Sequence, residues 1–291
     1  MVNVNTDTSR TSSKVNALAS NQYRKNQCFS QAMTMRIYEV QNTIKPTKYN
    51  TYMQSKIYQE LMDLHLGGMA EQWEAIEMLR KKQDVSLNDG IQMLIQAEKE
   101  RRSASKTARL IKHAKFRYNA TIEEVVFDSA RGKDKDRILH LASCEYIRQG
   151  AAVLITGPSG VGKSFLATAL GYQACLAGYK VVYINMHKLL EKIQLARVEG
   201  TIAKFFEKMA DLDLLIIDDY GMKILDGQQL LDFMELIEDR HGRKSTIISS
   251  QLPVGGWYEV LAKNATIADA ILDRMVNTSH IFELKGESMR K

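Results

Sequence analysis

From position 52 onward the apolar residues recur at helical spacing. Tyr58, Leu61 and Leu64 form one run, and Met69, Trp73, Ile76 and Leu79 form a second, with Gly67-Gly68 breaking the pattern between them. Ser86 and Asp89 stand at the spacing of a capping box that opens a third helix. Leu87, Ile91, Leu94 and Ile95 give that helix its apolar face, and it runs on into a basic stretch near Lys99–Lys115. A polar, charged connection follows at 128–137, then a helix over Ile138–Arg148. Beyond it the period changes. Five β-rich runs, Ala152–Thr156, Lys180–Asn185, Leu214–Asp218, Ser245–Ser250 and His280–Leu284, alternate with helical stretches. That alternation predicts an α/β fold with a parallel sheet in three layers.

Residues 1–51 carry no sustained apolar period and are rich in Ser, Thr, Asn and Gln, so they read as a disordered basic extension. Met53 is a candidate initiator downstream of it. The expected division is therefore extension 1–51, helical N-terminal domain 52–120, linker 121–137 and α/β domain 138–291.

The chain carries a net charge of +6, and the charge is unevenly placed. Residues 1–50 contribute +5 and residues 99–117 contribute +7, so the remainder is acidic. A concentrated cationic segment points to a polyanionic partner more than a mildly basic average does. No apolar run approaches the roughly 18 residues of a membrane-spanning helix. The three cysteines are far apart and fit neither a metal site nor a disulfide framework. With no secretory leader evident, a cytoplasmic setting is the expectation, with no membrane partner.

The most informative stretch follows the first apolar run. Gly157-Pro158-Ser159-Gly160-Val161-Gly162-Lys163-Ser164 fits G-x-x-x-x-G-K-[ST], and Phe165 continues it into a helix. A strand, a glycine loop and a helix in that order form the context that gives this motif meaning. The glycines let the backbone turn its N–H groups toward phosphate oxygens, and the helix N-terminus adds partial positive charge. ATP and Mg²⁺ are the expected ligands. Lys163 is expected to reach the β- and γ-phosphates, and the Ser164 hydroxyl to ligate the metal.

Leu214-Leu-Ile-Ile-Asp-Asp-Tyr220 is an apolar strand ending in two carboxylates. At the carboxyl end of a parallel strand these face the ligand crevice. Asp218 is expected in the Mg²⁺ shell and Asp219 as the base that polarises the attacking water, with the division between the two neighbours open.

Three further features complete a pattern. Ser245-Thr-Ile-Ile-Ser-Ser-Gln251 is a strand ending in polar residues, Arg274 lies on a late helix, and Gly286-Glu-Ser-Met-Arg290 closes the chain. With both nucleotide motifs, residues 53–291 resemble the helicase-loader branch of the AAA+ ATPases. Within it they are most similar to the IstB helpers of insertion-sequence transposition, with DnaC-type loaders as the nearer outside relatives. The resemblance implies strand order 5-1-4-3-2 and no C-terminal lid. It implies a γ-phosphate sensor at Gln251, where the family's T-S-N ends in Asn, an arginine finger at Arg274 and a second sensor at Arg290. An ordinary ion pair with Asp273 or Glu283 is the alternative for Arg274. The resemblance also implies ATP hydrolysis, a homo-oligomer, and a cognate transposase as partner in target selection. The alternatives are a loader of the replicative helicase and, from another class, a small-molecule kinase on the same scaffold.

Lys99, Arg101, Arg102, Lys106, Arg109, Lys112, Lys115 and Arg117 form the candidate surface for double-stranded DNA. Phosphate neutralisation of this kind is largely sequence-independent and weakens as salt rises. The alternative is a solvated helix face or a protein interface. Lys188, Lys192, Arg197, Lys204 and Lys208 are a second candidate set.

Overall fold

The computed structural model describes residues 56–80, 85–261, 264–277 and 279–289. The expected extension, Met53 and Arg290 lie outside the described residues.

Three helices come first: α1 (Lys56–Asp63), α2 (Gly67–Arg80) and α3 (Leu87–Ala114). The two glycines begin α2 rather than filling the break before it. The reason is packing: a Cβ at Gly68 would lie 2.7 Å from the carbonyl oxygen of Ala97, so only glycine lets α2 press on α3. Glu98 of α3 caps α2 from outside, accepting the Gly68 N–H at 2.8 Å and the Met69 N–H at 3.3 Å. The Ser86 hydroxyl caps α3 by accepting the Asp89 N–H at 3.2 Å. Helix α3 ends where Lys115 turns left-handed, with φ 55°. Its last turn is shared with the α/β body, since Leu110, Ile111 and Ala114 pack into the core on one face of the sheet.

The segment after α3 is structured. Ser129–Arg131 form a 3-10 turn, and Asp128 and Lys133 pair as an antiparallel bridge around it. The expected single helix over Ile138–Arg148 is two, α4 (Lys135–Ala142) and α5 (Glu145–Arg148). The break falls at Cys144, whose φ of 62° no α-helix tolerates.

The sheet contains β1 (Val153–Thr156), β2 (Val181–Asn185), β3 (Leu214–Tyr220), β4 (Ser245–Ser250) and β5 (His280–Glu283). Its order is β2-β3-β4-β1-β5 and every pairing is parallel, as the resemblance implies. Between strands run α6 (Lys163–Leu176), α7 (Met186–Val198), α8 (Ile202–Ala210), α9 (Gly227–Arg240), α10 (Trp257–Leu261) and α11 (Ala265–Val276). Side chains alternate across a strand, so β3 feeds two cores. Leu214 and Ile216 join α4, α5 and α6 on one face, while Leu215 and Ile217 join α7 to α11 on the other. The result is three layers, with the carboxyl ends of β1, β3 and β4 together at one rim.

Strand β3 runs two residues past its expected end. The β3–β4 register shifts between Ile217 and Tyr220, and Asp219 sits in that irregularity with φ 56°. A bulge of this kind re-aims a side chain.

Candidate functional site

The P-loop leaves β1 at Thr156 and enters α6 at Lys163. Gly157, Gly160 and Gly162 all have positive φ, at 140°, 83° and 99°. At Gly157 the need is steric too, because a Cβ would come within 2.1 Å of the Leu284 carbonyl oxygen. Lys163 is buried, and its Nζ donates to the Pro158 carbonyl at 2.7 Å, which folds the side chain over its own loop.

Asp218 is buried at the end of β3 and gathers three hydroxyls. Ser164 donates to Oδ1 at 3.0 Å, Ser249 of β4 also donates to Oδ1, and Tyr183 of β2 donates to Oδ2. Burial and the Asp218 carboxylate push the Tyr183 phenol well above its ordinary pKa, so it stays protonated and donates. A carboxylate beside the P-loop serine supplies the hard oxygen donors that Mg²⁺ prefers.

In a regular strand Asp219 would point away from Asp218. Its left-handed backbone turns it toward the same crevice, where it accepts from Asn185 Nδ2 at 2.7 Å. Burial, then the neighbouring Asp218 charge, raise its pKa above the usual carboxylate value, with Arg117 and Lys163 pulling the other way. A carboxylate so raised is a better base.

These groups open on a cavity of about 550 Å³. Its wall includes Ser159, Gly160, Gly162, Lys163, Ser164 and Phe165 from the P-loop and α6, together with Asp219 and Gln251. Val161 supports the loop from behind, in the core, while Pro158 is exposed. Among the described residues no cluster of three or more His, Cys, Asp or Glu side chains forms a separate metal site.

The remaining wall comes from residues that sequence reasoning puts elsewhere or passes over. Arg117 and Tyr118, beyond the end of α3, line the cavity. Arg117 thus stands with the phosphate loop rather than with the cationic face of α3. Tyr118 stacks on Phe165, with ring centroids 6.2 Å apart and planes 15° from parallel. Glu124, Val125, Val126, Lys133, Leu166 and Met289 complete the wall. The tail after β5 returns over the loop, with the Met289 N–H donating to the Gly160 carbonyl at 2.9 Å.

Arg274 does not line this cavity. It lies on α11, its Nε 2.5 Å from Glu238 of α9, and its Nη1 donates to the Ala270 carbonyl at 3.0 Å. The ion pair is therefore made with Glu238, across two helices, and not with Asp273 or Glu283.

The basic residues of α3 divide between two faces of a regular helix. Lys99, Arg102, Lys106 and Arg109 follow spacings of three and four on one face, while Arg101 and Lys112 occupy another. All are exposed, and so is Lys115. Two are engaged within the helical hairpin. Arg102 Nε donates to Glu98 at 2.7 Å, and the Arg101 guanidinium fills the space beside Gly67. In the second set, Lys192, Lys204 and Lys208 share a groove of about 400 Å³ between α7 and α8. Lys188 is exposed on α7. Arg197 is different: it forms a forked pair with the buried Asp232 of α9, a tie between helices.

The model of the family described as IstB-like ATP binding protein matches residues 59–291. A protein of Sinorhizobium fredii named as an insertion sequence ATP-binding protein is 38% identical over 232 residues, covering 80% of this chain and 94% of that one. The ATP-binding protein named for insertion sequence IS1162 of Pseudomonas fluorescens is 38% identical over 195 residues, covering 67% of this chain and 84% of the relative. Among solved structures, the DnaC helicase loader superposes with TM-score 0.52 at 19% identity, covering 59% of this chain and all of that one. AMPPCP-bound DnaA from Aquifex aeolicus gives TM-score 0.51 at 18% identity, covering 60% of this chain and 52% of that one. At such identities these two likenesses bear on the fold alone.

Proposed function

This chain belongs to the IstB-like ATP-binding protein family, and on that premise we propose that it hydrolyses ATP, assembles with copies of itself on double-stranded DNA, and assists the transposase of its insertion sequence in target selection. The observation that carries the hydrolytic part is the convergence of Lys163, Ser164 and Asp219 on one cavity, with the buried Asp218 directly behind, accepting from the Ser164 hydroxyl at 3.0 Å. A P-loop that only held nucleotide would have no use for a second carboxylate turned into the crevice by a strand irregularity.

Ser164 and Asp218 would hold Mg²⁺, which would supply positive charge to offset that of the phosphates. The chain's own residues do the rest. The P-loop N–H groups and Lys163 orient the triphosphate. Asp219 accepts a proton from the water that attacks the γ-phosphorus, the bond to the β,γ-bridging oxygen breaks, and ADP and phosphate result. Asn185 holds the Asp219 carboxylate in line, and Gln251 offers its amide to the γ-phosphate.

Arg274, remote from its own chain's cavity, fits a finger that completes the site of a neighbouring copy. The Lys99, Lys106 and Arg109 face of α3, with the lysine groove between α7 and α8, supplies phosphate contacts to DNA. Among the described residues no helix is long and apolar enough to cross a membrane.

The test is ATP turnover measured with DNA, with the cognate transposase and with both. Turnover stimulated by DNA and altered again by transposase supports the reading. Turnover indifferent to both but altered by a replicative helicase would move the chain to the loader reading.

A further inference from the structure

Lys133 has no part in the roles assigned above. It follows Gly132, whose φ of 77° closes the 129–131 turn. Its backbone pairs with Asp128 in both directions, at 3.1 and 2.9 Å. That short bridge directs the side chain across to the P-loop. Lys133 is only 5% exposed, it lines the same cavity as Lys163 and Ser164, and its Nζ lies 3.0 Å from where a Cβ on Gly162 would sit. Gly162 is needed for its left-handed backbone, and the ammonium stands so close that a side chain there would also have to displace it slightly.

The partners of that ammonium are poor. The nearest is the Met289 thioether at 3.3 Å, a weak acceptor. Among the described residues Lys133 forms no ion pair. Burial, then the Arg131 charge, depress its pKa, and Asp128 offsets this from a distance. A cation withdrawn from water without a carboxylate costs free energy unless an anion meets it. The cavity it faces is the one that takes a polyphosphate.

We propose that Lys133 is a second phosphate-binding lysine, donating to the α- and β-phosphates of the bound nucleotide. This rests on the reading of the P-loop as the ATP site. The assignment to α and β follows from position. Lys133 stands beside Gly162, in the part of the loop whose N–H groups cradle those phosphates, whereas Lys163 reaches β and γ. A contact to phosphates that ATP and ADP share strengthens both equally.

The experiment is equilibrium binding of ATP and of ADP, each with Mg²⁺, to the full chain and to Lys133→Met and Lys133→Gln. Both variants should lose about tenfold in affinity or more, by the same factor for the two nucleotides, as expected for one charge-assisted hydrogen bond. Unchanged affinities would overturn the proposal, and so would a loss confined to ATP. Melting of the nucleotide-free variants reports whether they fold. Independently of any variant, ADP should raise the pKa of the Lys133 ammonium in the wild-type chain, read by NMR of labelled lysine, because a neighbouring phosphate favours the charged form. An unmoved pKa would overturn the proposal. A wild-type chain that binds neither nucleotide would instead refute the P-loop reading itself.

Discussion

Asn185 at the end of β2 donates its amide to the Asp219 carboxylate across 2.7 Å, and the same side chain caps α7 by accepting the His187 N–H at 2.9 Å. The candidate base is thus tied to the start of a helix that carries the lysine groove. Asn185→Ala frees Asp219 to rotate. Hydrolysis should fall by about tenfold or more while ATP affinity stays within a few-fold, since misplacing a base costs rate rather than binding. Single-turnover hydrolysis beside equilibrium ATP binding checks this. Equal losses in both would give Asn185 a merely structural part.

Asp219→Asn should bind ATP and fail to hydrolyse it, holding an ATP-bound assembly. The Asp218 carboxylate, with Ser164, Ser249 and Tyr183 around it, has the environment of a metal holder, so Asp218→Asn should instead weaken Mg²⁺-dependent binding. Titrating ATP with and without Mg²⁺ separates the two. Reversed outcomes would exchange the roles.

Much of this site is legible in the sequence because its two halves are local. A strand, a glycine loop and a helix occupy consecutive positions, and so do the apolar run and paired aspartates of β3. What is not legible depends on chain segments meeting only in the folded state. Arg117 reads as the last charge of a basic helix, yet α3 stops at Ala114 and the chain turns the arginine toward the P-loop. Lys133 lies in a stretch that reads as a charged connection. The one signal available is Gly132, a residue suited to a left-handed turn. Asp219 shows the same limit, since a regular strand would have pointed it away from Asp218.

Arg274→Ala should bind ATP normally and hydrolyse it slowly, because a finger supplied by a neighbour is worth roughly 10³–10⁵ in rate. Mixing it with Lys163→Ala should restore part of the activity, since intact sites form where a wild-type loop meets a wild-type finger. The Glu238 pair must open for this. Turnover of the mixture no greater than the sum of its parts would return Arg274 to a local ion pair.

Replacing Lys99, Lys106 and Arg109 by Glu should weaken DNA binding and flatten its salt dependence by about one unit for each phosphate no longer neutralised. Arg101 and Arg102 are left out because the Arg101 guanidinium lies against Gly67 and Arg102 is bonded to Glu98, which caps α2. An unchanged salt slope would direct attention to Lys192, Lys204 and Lys208.

Glu98 links helix packing to pH. The Arg102 hydrogen bond is the largest influence holding its carboxyl below the ordinary 4.5, aided by the Gly68 and Met69 N–H groups against the cost of burial. A depressed carboxylate stabilises the fold above its unfolded pKa and loses that contribution as pH falls through the folded value. The α2–α3 pairing should therefore loosen below about pH 4.5. Glu98→Gln should cost about 1–2 kcal/mol at neutral pH, discounted because Arg102 is largely exposed, and should remove that acid sensitivity. Hydrogen exchange of the α2 amides between pH 3 and 7, intervals of about one unit sufficing, checks it. Equal acid loosening in the variant would assign the effect to other carboxylates.

The most direct test of the account is steady-state phosphate release by the wild-type chain and by Lys163→Ala, each over a range of protein concentration with linear double-stranded DNA. Wild-type turnover per chain should rise with protein concentration and with DNA, and Lys163→Ala should give no turnover above background. Turnover that is constant down to high dilution, or that survives the loss of Lys163, would contradict it.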